Sequence, residues 1–475
     1  MARTSRLKVI TDEDMSWIHE ASLKILQDTG VIYHNDEALD IFKKHGAKVG
    51  GKTVFFHKNM VREALKSAPQ TFRWRARNDA KSVTVGDQNE KLLLQPNGGP
   101  VFVQDLDKGR RKGTLEDFAN IIKLCHASDI VSLIGSFPVE PSDVKQNEKH
   151  LYMMYEILKN TDKPVIAFQF SSPKDRQILD MVEIAMGQNG SLDKHHCVGV
   201  GVDPLSPLAY DSAACETIIE FAKRKQIVWF TAAIMAGFSG PISLIGTVTQ
   251  QNAEILAGII LAQLVNPGNP VIYSNGSAVA NMKNGKFVTG SPEMMLIQLA
   301  GLQMALDYYH LPSRSMCGMT DSKTIDYQAG CETIQSLMLG VLGGAHWIFE
   351  SLGVLDAIMT TSYEKLMIDL EIVNRVIRIR EGMDTSAKDR ALKVIQEVGH
   401  EGAYITHTDT LNHFRERWLP SLSDWNTFED WEKAGSEDIA VRANKQYKEI
   451  LEKAPESLIE PEVDKTLTNY IKRVI

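Results

Sequence analysis

Between residues 91 and 381, short apolar runs alternate with longer segments in which apolar positions recur at helical spacing. Runs such as VIAFQF and IVWFTAAIM are continuous, which is typical of parallel strands buried on both faces. We predict eight strands, at 92–94, 131–135, 165–168, 197–202, 228–232, 271–273, 314–317 and 346–349. Each precedes a predicted helix, and these lie at 115–128, 144–160, 173–187, 208–224, 244–265, 291–309, 326–342 and 363–381.

Eight strand–helix units are the number that forms a (β/α)8 barrel. A doubly wound open sheet is the main rival, but such sheets usually carry a glycine-rich phosphate turn, and neither GxGxxG nor GxxxxGK occurs here. We therefore predict an α/β protein whose catalytic domain is a (β/α)8 TIM barrel at 91–381. Residues 1–90 are predicted to form a small N-terminal α+β unit, and residues 382–475 a helical C-terminal extension.

The two flanking segments have their own patterns. Thr11 and Asp14 have the spacing of a capping box, which predicts a helix start. Between 382 and 475, charged helices surround an aromatic-rich stretch that includes Trp418 and Trp425. We expect this extension to pack on the barrel or on a neighbouring subunit, and the protein to form a homo-oligomer.

Composition narrows the class of protein. With 475 residues, 43% of them hydrophobic and 24% charged, the chain is of the ordinary globular type. Its net charge of −8, without a basic stripe, argues against nucleic acid as a partner. The five cysteines are scattered without a CxxC pair, the N-terminus lacks an apolar segment, and the apolar run at 253–265 is too short to span a membrane. We expect a cytoplasmic protein with free thiols and no membrane association.

The carboxyl ends of parallel strands face the ligand site in such folds, so the residues that follow each predicted strand are the candidates. These positions are rich in aromatic side chains and carboxylates. Basic side chains are scarce among them, apart from Lys323. Aromatic faces and carboxylates suit a cation, above all a quaternary ammonium, which has no N–H to donate. The alternative for any single residue is that an aromatic ring belongs to the core or that a carboxylate caps a helix or pairs with a base. The residues are Phe137, Phe170, Phe238, Phe349, Glu140, Asp203, Asp321 and Glu350.

Metal chemistry has weaker support in the sequence. His195 and Cys197 lie at the start of a predicted strand rather than at its carboxyl end, and Cys317 and Cys331 lack a metal-ligand spacing. We expect no metal site.

Five long stretches carry a resemblance to a known family. They are GGPVFVQDLDKGRRKGTLEDF, GSFPVEPSDV, GMTDSKTIDYQAGCE, GAHWIFESLGVLD and HFRERWLPSLSDW. Over about 97–440 the chain resembles the trimethylamine methyltransferase family, whose members transfer a methyl group from a methylated amine to the Co(I) of a separate corrinoid protein. The founding members contain pyrrolysine, whereas this chain has only standard residues. It therefore resembles the branch that lacks pyrrolysine and acts on quaternary amines.

The resemblance implies a substrate and a partner. Glycine betaine, giving dimethylglycine, is the first expectation, and carnitine, proline betaine or γ-butyrobetaine could replace it. Two further hypotheses are a non-catalytic betaine-binding protein and a zinc-dependent methyltransferase with His195, Cys197 or Cys317 as ligands. No cofactor is expected to be tightly bound, since cobalamin is carried by the corrinoid protein, which should dock over the mouth of the barrel.

The predicted site combines an ammonium cage, a source of negative potential and groups that orient the substrate. Positive charge leaves the nitrogen during transfer, so we expect a modest cage rather than a ring of carboxylates. The ammonium is expected to contact Phe137, Phe170, Phe238 and Phe349. Negative potential is expected from Glu140 and from Asp321 and Glu350, which are the catalytic candidates. The distal end of the substrate is expected to contact Asn275, Gln169 and Lys323.

Overall fold

Eight parallel strands form a closed barrel in the computed structural model, which describes residues 5–87, 91–187 and 190–475. Their order around the sheet is β1-β8-β7-β6-β5-β4-β3-β2. The barrel closes between β1 and β2, where the N–H groups of Ser132 and Leu133 donate to the carbonyl of Leu94 at 3.0 and 3.1 Å. The predicted (β/α)8 architecture is confirmed. The strands are β1 (Leu93–Leu94), β2 (Ile134–Gly135), β3 (Val165–Ile166), β4 (Val198–Val202), β5 (Ile227–Ala232), β6 (Val271–Asn275), β7 (Ser313–Met316) and β8 (Trp347–Phe349).

A helix follows every strand, at the places that the sequence predicts. Polar side chains start several of these helices, for example Thr114, whose hydroxyl accepts from the N–H of Asp117 in a capping box. The helices are α1 (Leu115–Ala127), α2 (Lys149–Asn160), α3 (Ser172–Ala185), α4 (Ser212–Lys223), α5 (Leu244–Val265), α6 (Pro292–Gln303), α7 (Tyr327–Leu342) and α8 (Tyr363–Glu381).

Two helices begin later than predicted, and each delay has a physical reason. Residues before α2 are held by the loop after β1, since the N–H groups of Glu140 and Ser142 donate to the carbonyls of Pro100 and Gly113. Residues before α4 form the short strand Ala209–Tyr210, which belongs to another sheet.

That other sheet links the N-terminal segment to the barrel. Strand Val31–Tyr33 pairs with Thr53–Phe55 on one side and with Ala209–Tyr210 on the other. The rings of Tyr33 and Tyr210 stack with centroids 5.4 Å apart. The N-terminal segment therefore forms a sheet with a strand from the loop between β4 and α4, and the predicted boundary after residue 90 lies outside the described residues. Its remaining elements are strand Lys48–Gly50 and helices Asp12–Lys24, Asp36–Lys44 and Lys58–Ser67, and the helices pack on α5.

A hairpin of Phe72–Trp74 and Val83–Val85 covers the amino end of the barrel. Its Trp74 is fully buried, with ring centroids 6.2 Å from Trp229 and 5.9 Å from Trp347. A side chain at Gly199 would lie 2.6 Å from the Trp74 ring, so β4 must carry a glycine there. This end of the barrel is consequently closed by packed indoles.

Two small sheets stand at the opposite, carboxyl end. One joins Phe102–Asp105 and Gly109–Lys112, after β1, with Val354–Leu355 and Thr360–Ser362, after β8. The other joins Met235–Ala236, after β5, with Ala278–Asn281 and Lys286–Val288, after β6. They extend the barrel beyond its strands and frame an opening.

The C-terminal extension packs on the barrel, which is one of the two arrangements that the sequence predicts. The Glu371 carboxylate of α8 accepts from the N–H groups of Ser421, Leu422 and Ser423, and the Tyr363 and Tyr447 rings stack at 4.9 Å. No helix in the described part of the chain is long and apolar enough to cross a membrane. The helices of the extension are Lys388–Val398, Thr408–His413, Phe428–Lys433, Ile439–Lys453 and Pro461–Val474.

Candidate active site

A cavity of about 570 Å3 opens at the carboxyl ends of the barrel strands. Side chains from six strands or the loops that follow them form its wall, together with the hairpin after β6 and the loop after β8. Its charged, polar and aromatic lining includes Phe137, Phe168, Gln169, Asp203, Trp229, Thr231, Phe287, Arg314, Phe349 and Glu350.

A buried arginine lies at the centre of the site. Arg314 is the second residue of β7, and only 5% of it is exposed. Side chains alternate in direction along a strand, so Arg314 faces the barrel interior whereas Ser315 faces outward and donates to Gln298 of α6 at 2.9 Å. The guanidinium donates to Thr231 and Ser274. It is therefore fixed within the barrel.

The guanidinium also stacks on aromatic rings. Its central carbon lies 3.2 Å from the ring centroid of Phe349, 4.5 Å from that of Trp347 and 5.0 Å from that of Trp229. Contacts of a cation with aromatic faces are attractive. One face of Phe349, which the sequence predicts to contact a substrate cation, is thus occupied by a cation of the protein itself.

Glu350 provides the first carboxylate of the cavity. It follows β8 directly, is 5% exposed, and accepts from the N–H of Gly98 at 2.9 Å. Its φ of 60° is in the left-handed region, which is uncommon for a residue other than glycine and is seen often at functional sites. Burial raises the pKa of the Glu350 carboxyl to about 8, although the Gly98 N–H and the Arg314 charge oppose this shift.

Asp203 provides the second carboxylate, just after β4. Asp203 is exposed to the open cavity, and its backbone N–H lies 3.4 Å from the Gln169 side-chain oxygen. Desolvation by the cavity wall raises the pKa of the Asp203 carboxyl to about 6, and the nearby Arg314 charge limits the rise. The cavity therefore holds one guanidinium and two carboxyl groups whose pKa values are both raised by desolvation.

Aromatic rings line the wall on the side of β2 and β3. Phe137 and Phe168 lie with their centroids 4.8 Å apart, and Phe287 of the hairpin after β6 faces the same space. Together with Phe349 they give the cavity an apolar wall beside its charged groups. Such a combination is typical of sites that bind a small organic cation.

Four residues of the predicted site line this cavity, namely Phe137, Gln169, Phe349 and Glu350. Asp203, which the sequence analysis names as a candidate without giving it a role, lines the cavity as well. Phe170 lies behind the wall, where its ring is 6.0 Å from Phe137 and 5.7 Å from His150.

Five predicted site residues, Asn275 among them, lie elsewhere. Glu140 forms an ion pair with Lys149 of α2, and Phe238 is 68% exposed on the outer surface. Lys323 is largely exposed and donates to a carbonyl of its own loop. Asp321 accepts from the N–H groups of Thr289 and Gly290 and so ties the loop after β7 to the loop after the hairpin.

Asn275 shows how one residue along a strand reverses the direction of a side chain. It ends β6, but its side-chain oxygen accepts from Gln251 of α5 at 2.9 Å, outside the barrel. Its neighbour Ser274 points inward and binds Arg314.

Sequence reasoning missed Arg314, because the pattern places that residue at the first position of an apolar strand. A charged residue inside a run that predicts a buried strand was the signal that could have found it, since a buried charge needs a partner or a ligand. Trp229 and Phe168 were missed for a similar reason, since both lie inside apolar runs.

The predicted zinc ligands do not meet. In residues 5–87, 91–187 and 190–475, no group of three or more His, Cys, Asp and Glu side chains is arranged to hold a metal ion. His195 and Cys197 lie at the amino end of β4, whereas Cys317 is buried just after β7.

The sequence of this chain is similar to those of known proteins. A family model described as trimethylamine methyltransferase (MTTB) matches residues 1–474. The chain is 37% identical to a glycine betaine methyltransferase of Desulfitobacterium hafniense (strain Y51), with 98% of this chain and 97% of that protein covered. It is 30% identical to a proline betaine:corrinoid methyltransferase of Eubacterium limosum, with coverage of 93% and 92%.

A solved structure supports the fold. The crystal structure of the Methanosarcina barkeri monomethylamine methyltransferase (MtmB) is similar over 94% of this chain and 88% of that chain, with a TM-score of 0.56. At 14% identity, this similarity concerns the fold alone.

Proposed function

The chain belongs to the trimethylamine methyltransferase family, and we propose that it transfers a methyl group from glycine betaine to the corrinoid of a separate protein, leaving dimethylglycine. Because the chain belongs to this family, it is a methyltransferase. The observation that carries the choice of substrate class is the charge pattern of the cavity, in which aromatic rings and two carboxylates surround a single guanidinium.

The wall of the cavity suits the ammonium end of such a substrate. A trimethylammonium group has no N–H to donate, so it is bound by aromatic faces and by nearby negative charge rather than by hydrogen bonds. Phe137, Phe168 and Phe349 supply the faces, and Asp203 and Glu350 supply the negative charge. We assign these five residues to the ammonium.

The raised pKa of Glu350 fits the direction in which charge moves. A quaternary amine loses its positive charge as the methyl group leaves, and the tertiary amine departs without needing a proton. A full ring of carboxylates would stabilise the charged ground state more than the transition state and would slow the reaction. Desolvation raises the pKa of both Glu350 and Asp203, which moderates the negative charge beside the ammonium.

The remaining task of the protein is to position the methyl group. When a nucleophile and a carbon are held in line, much of the entropic part of the barrier is removed in advance. The cavity opens at the barrel mouth, where a corrinoid carried by another protein has access, and the corrinoid supplies the acceptor for the methyl group. We assign the orientation of the substrate to Gln169, which lies beside Asp203 and lines the cavity.

The test is a methyl-transfer assay with purified chain and a reduced corrinoid protein, followed by the visible spectrum of the corrinoid. The substrates are glycine betaine, proline betaine, carnitine, γ-butyrobetaine and trimethylamine, and a reaction without the chain is the control. We expect transfer from glycine betaine and none from trimethylamine. Transfer from a different betaine would replace the substrate, and betaine binding in calorimetry without any transfer would indicate a binding protein.

A further inference from the structure

Arg314 is a buried cation without a direct ion pair. It is 5% exposed, and among the described residues no carboxylate oxygen lies within 4.0 Å of its nitrogens, while the charges of Glu350 and Asp203 act on it from further away. Buried charges in proteins are normally paired, because the loss of hydration is otherwise uncompensated. A buried arginine that has no direct ion pair and lines a cavity is a candidate for binding an anionic group of a ligand.

Its hydrogen bonds leave donors free. A guanidinium has five N–H groups. Three bonds are made, from Nη1 to Thr231 Oγ1 at 3.3 Å and to Ser274 Oγ at 3.0 Å, and from Nη2 to Gln95 Oε1 at 3.1 Å. The Nε–H has no partner among the described residues. Because Nε is enclosed by protein, the second N–H of Nη2 is the donor that remains for a ligand carboxylate.

The neighbours of the cavity limit which ligand is compatible. Among the described residues that line the cavity, Arg314 has the single basic side chain, and Asp203 and Glu350 have the acidic ones. A purely cationic amine gains from the carboxylates but is repelled by the arginine. A zwitterion whose anionic end lies at the arginine and whose cationic end lies at the carboxylates and aromatic rings satisfies both.

We propose that Arg314 binds the carboxylate of the substrate and thereby selects betaines over quaternary amines that lack a carboxylate. This assignment rests on the proposed function and deepens it, because it names the group that distinguishes a betaine from choline or tetramethylammonium. Stacking on Phe349, Trp347 and Trp229 fixes the guanidinium, so the carboxylate is held at one place in the barrel. The ammonium then lies at a set distance from it, toward Phe137 and Phe168.

The experiment compares ligands that share an ammonium and differ in the carboxylate. Binding of glycine betaine, glycine betaine methyl ester and tetramethylammonium to the full-length wild type is measured by calorimetry. A hydrogen-bonded ion pair of this kind corresponds to a difference of about tenfold or more, so we expect the wild type to prefer glycine betaine over both other ligands by at least that factor. Equal affinities for the three ligands would overturn the assignment without any variant.

Two variants complete the test. In Arg314→Gln we expect glycine betaine to bind about tenfold or more weakly, whereas tetramethylammonium binds as well as before or better. Arg375→Gln is the matched control, because Arg375 also stacks on an indole, that of Trp418 at 4.6 Å, but lies outside this cavity. It should bind all ligands like the wild type. Equal weakening of both ligands in a folded Arg314→Gln protein, checked by thermal unfolding, would show that Arg314 only supports the structure.

The outcome remains separate from that of the proposed function. Methyl transfer from glycine betaine by the wild type, together with unchanged ligand selectivity in Arg314→Gln, would reject the role of Arg314 and keep the methyltransferase function. Selective binding of betaines through Arg314 without methyl transfer would keep the role of Arg314 and reject the methyltransferase function.

Discussion

The two halves of the barrel interior use the same strands and contain very different groups. In the amino half, Trp74, Trp229 and Trp347 pack with one another among Leu and Ile side chains. Toward the carboxyl ends, the interior contains Arg314, which is the register partner of Trp347, and Glu350, which follows β8, beside an open cavity. The Arg314 guanidinium lies at the boundary, stacked on the indoles on one side and open to the cavity on the other.

This difference indicates that the two halves of the barrel interior have different roles. Closely packed aromatic rings have few alternative arrangements, so the amino half can hold a buried guanidinium in a fixed position. The carboxyl half contains groups that cost stability, namely buried charges and the left-handed backbone of Glu350. The comparison therefore predicts that changes in the amino half act on stability and that changes in the carboxyl half act on binding.

The largest effect is expected for Trp74→Ala. Trp74 is fully buried against Trp229 and Trp347, and removing a buried indole typically costs about 3–5 kcal/mol of unfolding free energy. Urea unfolding at neutral pH measures it. Trp17→Ala is the control, since Trp17 is 54% exposed and should change the free energy by only about 0.5 kcal/mol. Similar losses in the two variants would break the comparison, because the amino half would then not be the stabilising one.

The next effect concerns pH, where the two halves should respond in opposite directions. Burial raises the pKa of Glu350 from 4.5 to about 8, so the stability this group contributes is complete below pH 4.5 and is lost as the pH rises through about 8. Burial lowers the pKa of His346, at the amino end of β8, from 6.5 to about 4. Its contribution is complete above pH 6.5 and is lost as the pH falls through about 4.

Unfolding free energies of the wild type, Glu350→Gln and His346→Gln, measured with urea between about pH 4 and pH 9, test this opposition. Relative to Glu350→Gln the wild type should lose about 1 kcal/mol or more on the alkaline side, and relative to His346→Gln a similar amount on the acidic side. Curves that run parallel to the wild type over the whole range would mean that neither group is titrated as its burial suggests.

The same division explains which features were accessible from the sequence. Strand and helix positions were predictable, because a strand buried on both faces must be an apolar run and the helices have a different period. β5 was predicted at 228–232 and lies at Ile227–Ala232. The starts of α2 and α4 were not predictable, because they depend on hydrogen bonds to Pro100 and Gly113 and on pairing with Val31–Tyr33, which are distant in the chain.

Residues that line the cavity were predictable where they lie at or just after a strand end and point inward. Glu350 and Phe349 meet both conditions. Asn275 fails the second by a single residue of register, and Asp321 and Phe238 lie in loops whose course the local sequence does not determine. Arg314 required knowledge that a strand interior faces a cavity, which follows from the assembled barrel alone.

The smallest effect separates the wall of the cavity from its surroundings. Phe137 and Phe238 are both predicted from the sequence to contact the ammonium, but Phe137 lines the cavity and Phe238 is 68% exposed outside it. Losing one cation–π contact costs about 0.5–2 kcal/mol, so Phe137→Leu should weaken glycine betaine binding by about three- to thirtyfold, while Phe238→Leu leaves it unchanged. Calorimetry on the two variants gives the comparison, because each replaces phenylalanine by leucine at the carboxyl end of the same barrel. If Phe238→Leu weakened binding as much as Phe137→Leu, the ammonium would have to lie nearer the outer loops, and the assignment of Asp203 and Glu350 to it would fall as well.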